Sequence, residues 1–296
     1  MISGDQDMTK ASGPPGVSGE AWVRRALRRP RPVARAATAL AVRRPFLMVG
    51  IMLAGVGACV VMPLSRAAGD PAARDPAATR GTPFTGTAAV GALFTSSDGH
   101  LGSHFCTASV VDSPAGNLAV TAAHCVTGKA LSVVFVPGYH NGQAPYGTWR
   151  VTRVFTDVAW SASADPDDDV AFLQLEPNAD GVNVESVTGA ERLKAGSSDR
   201  ALVKVIGYPS GTDEPVGCVN WTRELRSTQR EFDCGGYPDG TSGGPFLTDV
   251  SSAAGKGMVI GVIGGYQQGG DTDAVSYSIV FGANVASLYG TAEAVG

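Results

Sequence analysis

The sequence predicts an all-β fold made of short antiparallel strands and closed by one helix at the C-terminus. From about residue 88, short apolar and β-branched runs such as AAVGALFT, LSVVFV and GMVIGVIGG alternate with clusters of Gly, Pro, Asn and Asp. Many short strands bounded by turn-forming residues are typical of antiparallel sandwiches and barrels. ANVASLYG at residues 283–290 is the one segment with a clear helical pattern, so a parallel sheet with crossover helices is not expected.

The first segments of the chain are predicted to lie outside this fold. Residues 1–44 are rich in Gly, Pro, Ala and Arg without apolar periodicity, which indicates a basic, disordered leader. Residues 45–64, PFLMVGIMLAGVGACVVMPL, follow directly on Arg43 and Arg44. This run is long enough to span a membrane, and a basic flank before an apolar run is also the layout of an export signal. We therefore expect residues 45–64 to be an export signal or a membrane anchor.

The remaining segments are a connection and the folded domain. Residues 65–87 are rich in Ala, Pro and Gly and read as a linker or short propeptide, and residues 88–296 form the predicted domain. RRPFLM at residues 43–48 also resembles the twin-arginine export motif. A secreted or extracellular protein is expected, with membrane contact only through residues 45–64 if they are not cleaved.

The charge distribution argues against nucleic acid as a partner of the main domain. Residues 1–66 contain ten Lys or Arg and three acids, a net charge of +7, so the whole-chain value of −4 leaves −11 for residues 67–296. A domain of this charge repels polyanions.

The cysteines indicate an oxidising compartment. Cys59 lies in the apolar segment, and the four others, Cys106, Cys125, Cys218 and Cys234, form an even set beyond it. Such a set is typical of disulfides in exported proteins, and three pairings are open at this point. The chain has no Cys-x-x-Cys spacing, so we expect no zinc site.

Three short motifs carry candidate chemistry. VTAAHCV places His124 after a predicted strand, DPDDDVAFLQL places Asp169 just before one, and DGTSGGPFL places Ser242 in a glycine-rich turn. A hydroxyl nucleophile needs a base that titrates near neutrality, and histidine is suited to that role. Taken singly, His124 could be structural and DGTSGG an ordinary turn. The acidic run before Asp169 could bind calcium, but no glycine-hinged loop with a terminal glutamate follows it.

Taken together, TAAHC, DDVAFL and GTSGGP resemble the three signature blocks of the chymotrypsin/trypsin-like serine proteases, in the family's order. The resemblance covers about residues 88–290 and is closest to bacterial secreted members. It implies two packed six-stranded antiparallel β-barrels with a C-terminal helix. It also implies Ser242 as the nucleophile, His124 as general base and then acid, and Asp169 as the residue that holds the imidazole tautomer.

The resemblance extends to the oxyanion hole and the disulfides. It assigns the backbone N–H groups of Gly240 and Ser242 to the oxyanion hole, where a side chain at position 240 is expected to obstruct the approach. It matches Cys106 and Cys125 to the family's bridge behind the catalytic histidine. Cys218 and Cys234 remain as the second pair.

The resemblance also implies a substrate pocket. Its residues are Gly236 at the floor, Asp239 at the rim, and Gly264, Gly265 and Tyr266 on the walls. An uncharged floor at Gly236 favours an apolar or aromatic substrate side chain over a cation. Asp271 or Asp273 reaching the pocket from the neighbouring loop would reverse that preference.

One position departs from the family pattern. Thr241 occupies the place where well-known animal members carry an aspartate that pairs with the new amino terminus after activation. A neutral threonine cannot form that ion pair, so other contacts must hold the active conformation, or the oxyanion hole is poorly formed.

The sequence therefore predicts an exported serine endopeptidase that acts on protein or peptide substrates through an acyl-enzyme, without metal or organic cofactor. A monomer is expected. Two alternatives stay open: a catalytically silent chymotrypsin-like binding domain, and an esterase that uses the same triad.

Overall fold

This computed structural model describes residues 79–129, 132–251 and 255–295 of the chain, which form fourteen β-strands and four α-helices. The predicted leader 1–44, the apolar segment 45–64 and residues 65–78 of the predicted linker lie outside the described residues. None of the helices within the described ranges is long and apolar enough to cross a membrane.

The strands are short, as the turn-punctuated sequence predicts. Those of the first half are β1 (Thr82–Pro83), β2 (Val90–Ser97), β3 (His100–Val111), β4 (Leu118–Thr121), β5 (Val133–Pro137), β6 (Trp149–Thr156) and β7 (Ala171–Leu175). Those of the second half are β8 (Arg192–Leu193), β9 (Leu202–Gly207), β10 (Val216–Arg226), β11 (Gln229–Asp233), β12 (Pro245–Thr248), β13 (Met258–Val262) and β14 (Val275–Ile279).

The helices are brief except for the last. They are α1 (Ala123–Val126), α2 (Val158–Ser163), α3 (Val184–Thr188) and α4 (Ala283–Glu293), with 3₁₀ turns at Pro166–Asp168 and Tyr266–Gly269. The predicted C-terminal helix is confirmed by α4.

Strands β2 to β7 close into a six-stranded antiparallel barrel in the order β2-β3-β4-β7-β6-β5. Side chains alternate along each strand between the barrel interior and the outside. In β6, Trp149 and Val151 are buried, whereas Arg150 and Thr152 are exposed. Trp149 and Val151 join a cluster of almost fully buried side chains that also includes Leu93, Phe135 and Leu173.

Strands β9 to β14 form a second six-stranded unit in the order β14-β11-β10-β9-β12-β13. The two-residue strands β1 and β8 add to β10 and β13, which makes this sheet eight-stranded. Just after β13, the Gly264 N–H donates to the Tyr277 carbonyl of β14 at 3.0 Å, so the two ends of the strand order meet. The all-β prediction is confirmed.

Thr107 of β3 joins the two halves. Its hydroxyl donates to the Gly240 carbonyl at 3.0 Å and accepts from the Tyr208 N–H at 2.8 Å. Its own N–H donates to the Ser242 carbonyl at 2.7 Å. The loop that carries Ser242 is therefore bonded to the wall of the first barrel.

Candidate active site

His124 lies in a single helical turn at the end of a buried strand. All four residues of β4 are buried, and α1 begins at Ala123, two residues after β4 ends. Cys125 in the same turn forms a disulfide with Cys106 of β3. This bond attaches α1 to the barrel wall, so the backbone of His124 is fixed relative to the first barrel.

Asp169 follows the 3₁₀ turn Pro166–Asp168 and is 1% exposed. Its Oδ1 accepts the His124 backbone N–H at 2.9 Å, and its Oδ2 lies 2.7 Å from His124 Nδ1. Oδ2 also accepts the Gly265 N–H at 2.8 Å. Because an ionised carboxylate only accepts, this arrangement places the imidazole proton on Nδ1 and leaves Nε2 free to accept one.

Ser242 lies in the turn between β11 and β12, held from both sides. Its carbonyl accepts from Thr107, and the N–H of the next residue, Gly243, donates to the Ile263 carbonyl at 2.7 Å. Ser242 and His124 line one cavity of about 870 Å³. Among the described residues the Ser242 hydroxyl has no hydrogen-bond partner, an arrangement compatible with a catalytic contact that tightens only when substrate binds.

Two backbone N–H groups beside Ser242 lack an acceptor in the described part of the chain. Within the described ranges, neither the Gly240 N–H nor the Ser242 N–H donates to a protein acceptor. Gly240 has φ +93°, and a Cβ there would lie 2.4 Å from the Ser210 nitrogen. Glycine is therefore required at position 240 because of its own backbone and Ser210. Obstruction of the oxyanion approach stays a prediction.

The cavity wall is acidic. Asp239, Asp271 and Asp273 line it, with Lys129 as the lysine among its lining residues. Tyr237 also lines it and donates its hydroxyl proton to the Val205 carbonyl at 2.8 Å, while burial raises the pKa of this phenol. The phenol therefore stays neutral.

Of the expected pocket residues, Asp239 lines this cavity and Gly236, Gly264, Gly265 and Tyr266 do not. The N–H of Gly236 donates to the Asp273 carbonyl at 2.7 Å, which brings the loop of Asp271 and Asp273 beside the expected floor. The Gly264–Gly265 pair adjoins Asp169 instead, where a Cβ on Gly264 would lie 3.0 Å from Oδ2. Tyr266 packs edge-on against Tyr277 at 5.1 Å between ring centroids.

The other acids of the run before Asp169 serve local structure. Asp165 accepts the Asp167 N–H at 3.0 Å, and Asp167 accepts from the Gln229 amide at 2.8 Å. Asp168 accepts from Asn284 of α4 at 2.7 Å, although burial raises the pKa of this carboxyl.

His124 also lies close to two cysteines, whose sulfurs are within 4.8 Å of its ring nitrogen. Those sulfurs are joined as Cys106–Cys125 and are not thiolate ligands.

Two contacts at this site have no signal in the sequence. Gly265 donates to Asp169, although the sequence placed it on the pocket wall. Gln229 is completely buried between the Asp169 loop and the Gly265 loop. In the sequence it stands in RSTQREF, a segment that matches no motif.

Comparison with known proteins decides the family. The model of the family Trypsin matches residues 78–285, which is most of the chain. The chain belongs to the trypsin family. Serine endopeptidases form this family, so the predicted hydrolase class and the resemblance are both confirmed. No curated protein matches the sequence.

Solved structures of proteases share the fold of this trypsin-family chain. Protease Anisep from Arthrobacter nicotinovorans is 23% identical, with a TM-score of 0.62 over 72% of this chain and 99% of that one. A thermostable serine protease, AL20, from an extremophilic microorganism is 23% identical, with a TM-score of 0.61 over 71% and 99%. A Glu endopeptidase is 15% identical, with a TM-score of 0.56 over 73% and 97%. The predicted chymotrypsin-like fold is confirmed.

Both disulfides expected for this family member are present. Cys106 pairs with Cys125, and Cys218 of β10 pairs with Cys234 just after β11. The second bond links two neighbouring strands directly upstream of the Ser242 turn.

Thr241, the departure from the family pattern, is held by neutral contacts. It is 2% exposed, and its hydroxyl donates to the Pro238 carbonyl at 2.7 Å. A Cβ on Gly207 would lie 2.6 Å from the Thr241 Cβ, so the side chain packs closely against that glycine. Packing and a hydrogen bond therefore stabilise the turn at Ser242. They do so at the position where animal members of the family use the ion pair of an aspartate.

Proposed function

We propose that this chain is an exported serine endopeptidase that cleaves peptide bonds with Ser242, His124 and Asp169 acting as one unit. The observation that carries the proposal is the 2.7 Å contact between His124 Nδ1 and Asp169 Oδ2. It involves a buried carboxylate and a histidine that lines the same cavity as Ser242.

The chemistry follows from these positions. His124 Nε2 takes the proton of the Ser242 hydroxyl as its oxygen attacks the carbonyl carbon of the scissile bond. The oxyanion that forms is stabilised by the N–H groups of Gly240 and Ser242, and such a donor contributes about 3 kcal/mol of transition-state stabilisation. His124 then gives its proton to the leaving amine, and water activated by His124 hydrolyses the acyl-enzyme. Asp169 stabilises the imidazolium in both steps.

Export is supported by two features that are independent of the active site. The two disulfides require an oxidising compartment to form and persist. Residues 45–64, which lie outside the described ranges, have the composition of an export signal or anchor. We infer that the protease domain begins upstream of residue 88, because the Gly81 N–H bonds to the Gly235 carbonyl at 2.7 Å and β1 pairs with β10.

An organophosphonate that reacts with activated serines tests the proposal. Wild-type protein is expected to be labelled at Ser242 and to hydrolyse unfolded casein, and Ser242→Ala is expected to do neither. Labelling of neither protein would indicate a silent binding domain. Labelling together with hydrolysis of small esters but not of casein would indicate an esterase. A Ser251→Ala variant, which alters an exposed serine, is the matched control.

A further inference from the structure

Gln229 contacts both segments that hold Asp169. Its side-chain nitrogen donates to the Pro166 carbonyl at 2.9 Å and to Asp167 Oδ1 at 2.8 Å. Its side-chain oxygen accepts the Tyr266 N–H at 3.2 Å. Pro166 and Asp167 lie just before Asp169, and Tyr266 follows the glycine whose N–H donates to Asp169.

The hydrogen bonds require an amide. Two acceptors face the nitrogen of Gln229, and one donor faces its oxygen, so the group must donate and accept at the same time. Gln229 is completely buried, hence an unmatched partner would not be solvated by water. A carboxylate at this position would retain the acceptor but would face the Asp167 carboxylate without a proton to donate.

The spacing between the two segments is tight. A Cβ on Gly265 would lie 2.4 Å from the Gln229 side-chain oxygen. The Gly265 backbone is therefore packed against the amide at the point from which its N–H reaches Asp169 Oδ2 at 2.8 Å. A change in the position of the amide displaces that N–H relative to the carboxylate.

We propose that Gln229 is a positioning residue for the His124–Asp169 pair, since it fixes the Asp169 loop and the Gly265–Tyr266 loop at the separation that the Gly265 N–H bond requires. Gln229 acts through Asp169 and does not touch substrate. This inference rests on the proposed function, because it assigns Gln229 to the same triad.

The test compares Gln229→Met, which keeps the volume but removes all three hydrogen bonds, with Gln229→Glu, which keeps the shape and the acceptor. The matched control is Gln174→Met, on the first barrel, where the Val295 carbonyl is the one partner of the side-chain amide among the described residues. Both Gln229 variants are expected to lose about tenfold to a hundredfold in kcat and in the rate of phosphonate labelling, with little change in KM. The control is expected to keep wild-type values. Thermal melting identifies any variant that does not fold. If one Gln229 variant does not fold, the other is compared with wild type and with the Gln174→Met control.

A spectroscopic readout separates positioning from general destabilisation. The NMR resonance of the His124 Nδ1 proton is recorded in the Ser242→Ala background, where no turnover is needed. It is expected to shift in both Gln229 variants and not in the Gln174 control. An unshifted resonance with unchanged labelling, or a loss confined to KM, would overturn the inference. If wild-type protein is not labelled at all, the proposed function fails, and the resonance alone then decides the role of Gln229.

Discussion

The backbone N–H of Gly265 donates to Asp169 Oδ2, the same oxygen that contacts His124 Nδ1. A backbone donor cannot rotate away, so the carboxylate is oriented by the path of the chain rather than by a side-chain hydroxyl. That path requires glycine, because Gly265 has φ +82° and lies against the Gln229 amide. The geometry of Asp169 thus depends on a glycine-rich loop from the second half of the domain.

Gly265→Ala is expected to reduce turnover and to lower the free energy of unfolding by about 1–3 kcal/mol, because the substitution combines an unfavourable φ with a steric clash. Activity assays and denaturant unfolding measure the two effects. Gly181→Ala is the matched control, since Gly181 has φ +74° and nothing within 4 Å of an added Cβ. If both variants behave alike, the contact of Gly265 with Asp169 and Gln229 has no special effect.

The three proposed catalytic residues are expected to act non-additively. Alanine at His124, Asp169 or Ser242 should remove most turnover, and the double variant His124→Ala/Ser242→Ala should be scarcely worse than either of its single variants, because neither residue works without the other. The measurement is kcat/KM on one peptide substrate. Losses that multiply in the double variant would mean that the residues act independently.

Thr241 is expected to be intolerant of the aspartate that other family members carry. Thr241→Asp would bury a carboxylate against the Pro238 carbonyl and Gly207, both neutral, at a cost of about 3 kcal/mol or more in the free energy of unfolding. Because burial would raise the pKa of this new carboxyl, the destabilisation should grow as pH rises above about 4. Denaturant unfolding at several pH values measures it.

Thr241→Val is the control for that substitution. It removes only the hydrogen bond to Pro238 and should cost about 1 kcal/mol at all pH values. A Thr241→Asp variant as stable as Thr241→Val at pH 8 would contradict the neutral packing of this site.

The triad motifs could be read from the sequence because their residues are separated by strands whose apolar patterns are strong. His124 follows β4, Asp169 precedes β7, and Ser242 precedes β12. The same logic predicted the all-β fold and α4. The strand pattern does not specify what each loop touches, because loop contacts depend on backbone path rather than on periodicity.

The glycine pair 264–265 illustrates that limit. Its composition was compatible with an open pocket wall, but its backbone lies against Asp169, and the Asp271–Asp273 segment lines the cavity instead. Gln229 is a second example, since a lone buried amide is recognisable only when its three partners are known. Thr241 is a third example. The sequence indicated that the aspartate of animal family members is absent at this position, but the packing of Thr241 that takes its place is seen only in the structure.

Glu191 is expected to make stability depend on pH. Its carboxyl is completely buried, accepts the Gly257 N–H, and has one oxygen without a partner in the described ranges. Burial raises its pKa from 4.5 to about 7, while the Gly257 N–H, Lys256 and Lys204 act in the opposite direction. The stability that this group contributes is complete below pH 4.5 and is lost as pH rises to about 7, a decline of about 3 kcal/mol.

Glu191→Gln should remove that decline, because a neutral amide does not ionise. The variant is expected to match wild type near pH 4 and to be more stable by about 2–3 kcal/mol at pH 8. Thermal or denaturant unfolding across this range checks it, with exposed Glu214→Gln as the control. If the free energy of unfolding varied with pH in the same way in wild type and in Glu191→Gln, Glu191 would be excluded as the source of the pH dependence.

The last prediction concerns the substrate residue just before the scissile bond. The cavity beside Ser242 is lined by Asp239, Asp271 and Asp273, against Lys129. The three carboxylates are exposed, so each pair with a substrate cation is weak by itself. A cleft lined by one sign of charge nevertheless concentrates its field within the cleft. We therefore expect Lys and Arg to be preferred over Glu, and over the apolar or aromatic side chains that Gly236 alone suggested.

A peptide library that varies this one residue measures the preference as kcat/KM. The expected ratio of Arg to Glu is at least about tenfold, equivalent to about 1.4 kcal/mol of transition-state discrimination. The ratio should shrink as ionic strength rises from about 0.05 to 0.5 M, because exposed charges are screened. Asp271→Asn combined with Asp273→Asn should abolish most of it, whereas Asp180→Asn, in an exposed loop, should leave it intact. An aromatic preference that neither salt nor the double variant changes would mean that the acidic wall does not contact this substrate residue, and that shape rather than charge selects the substrate.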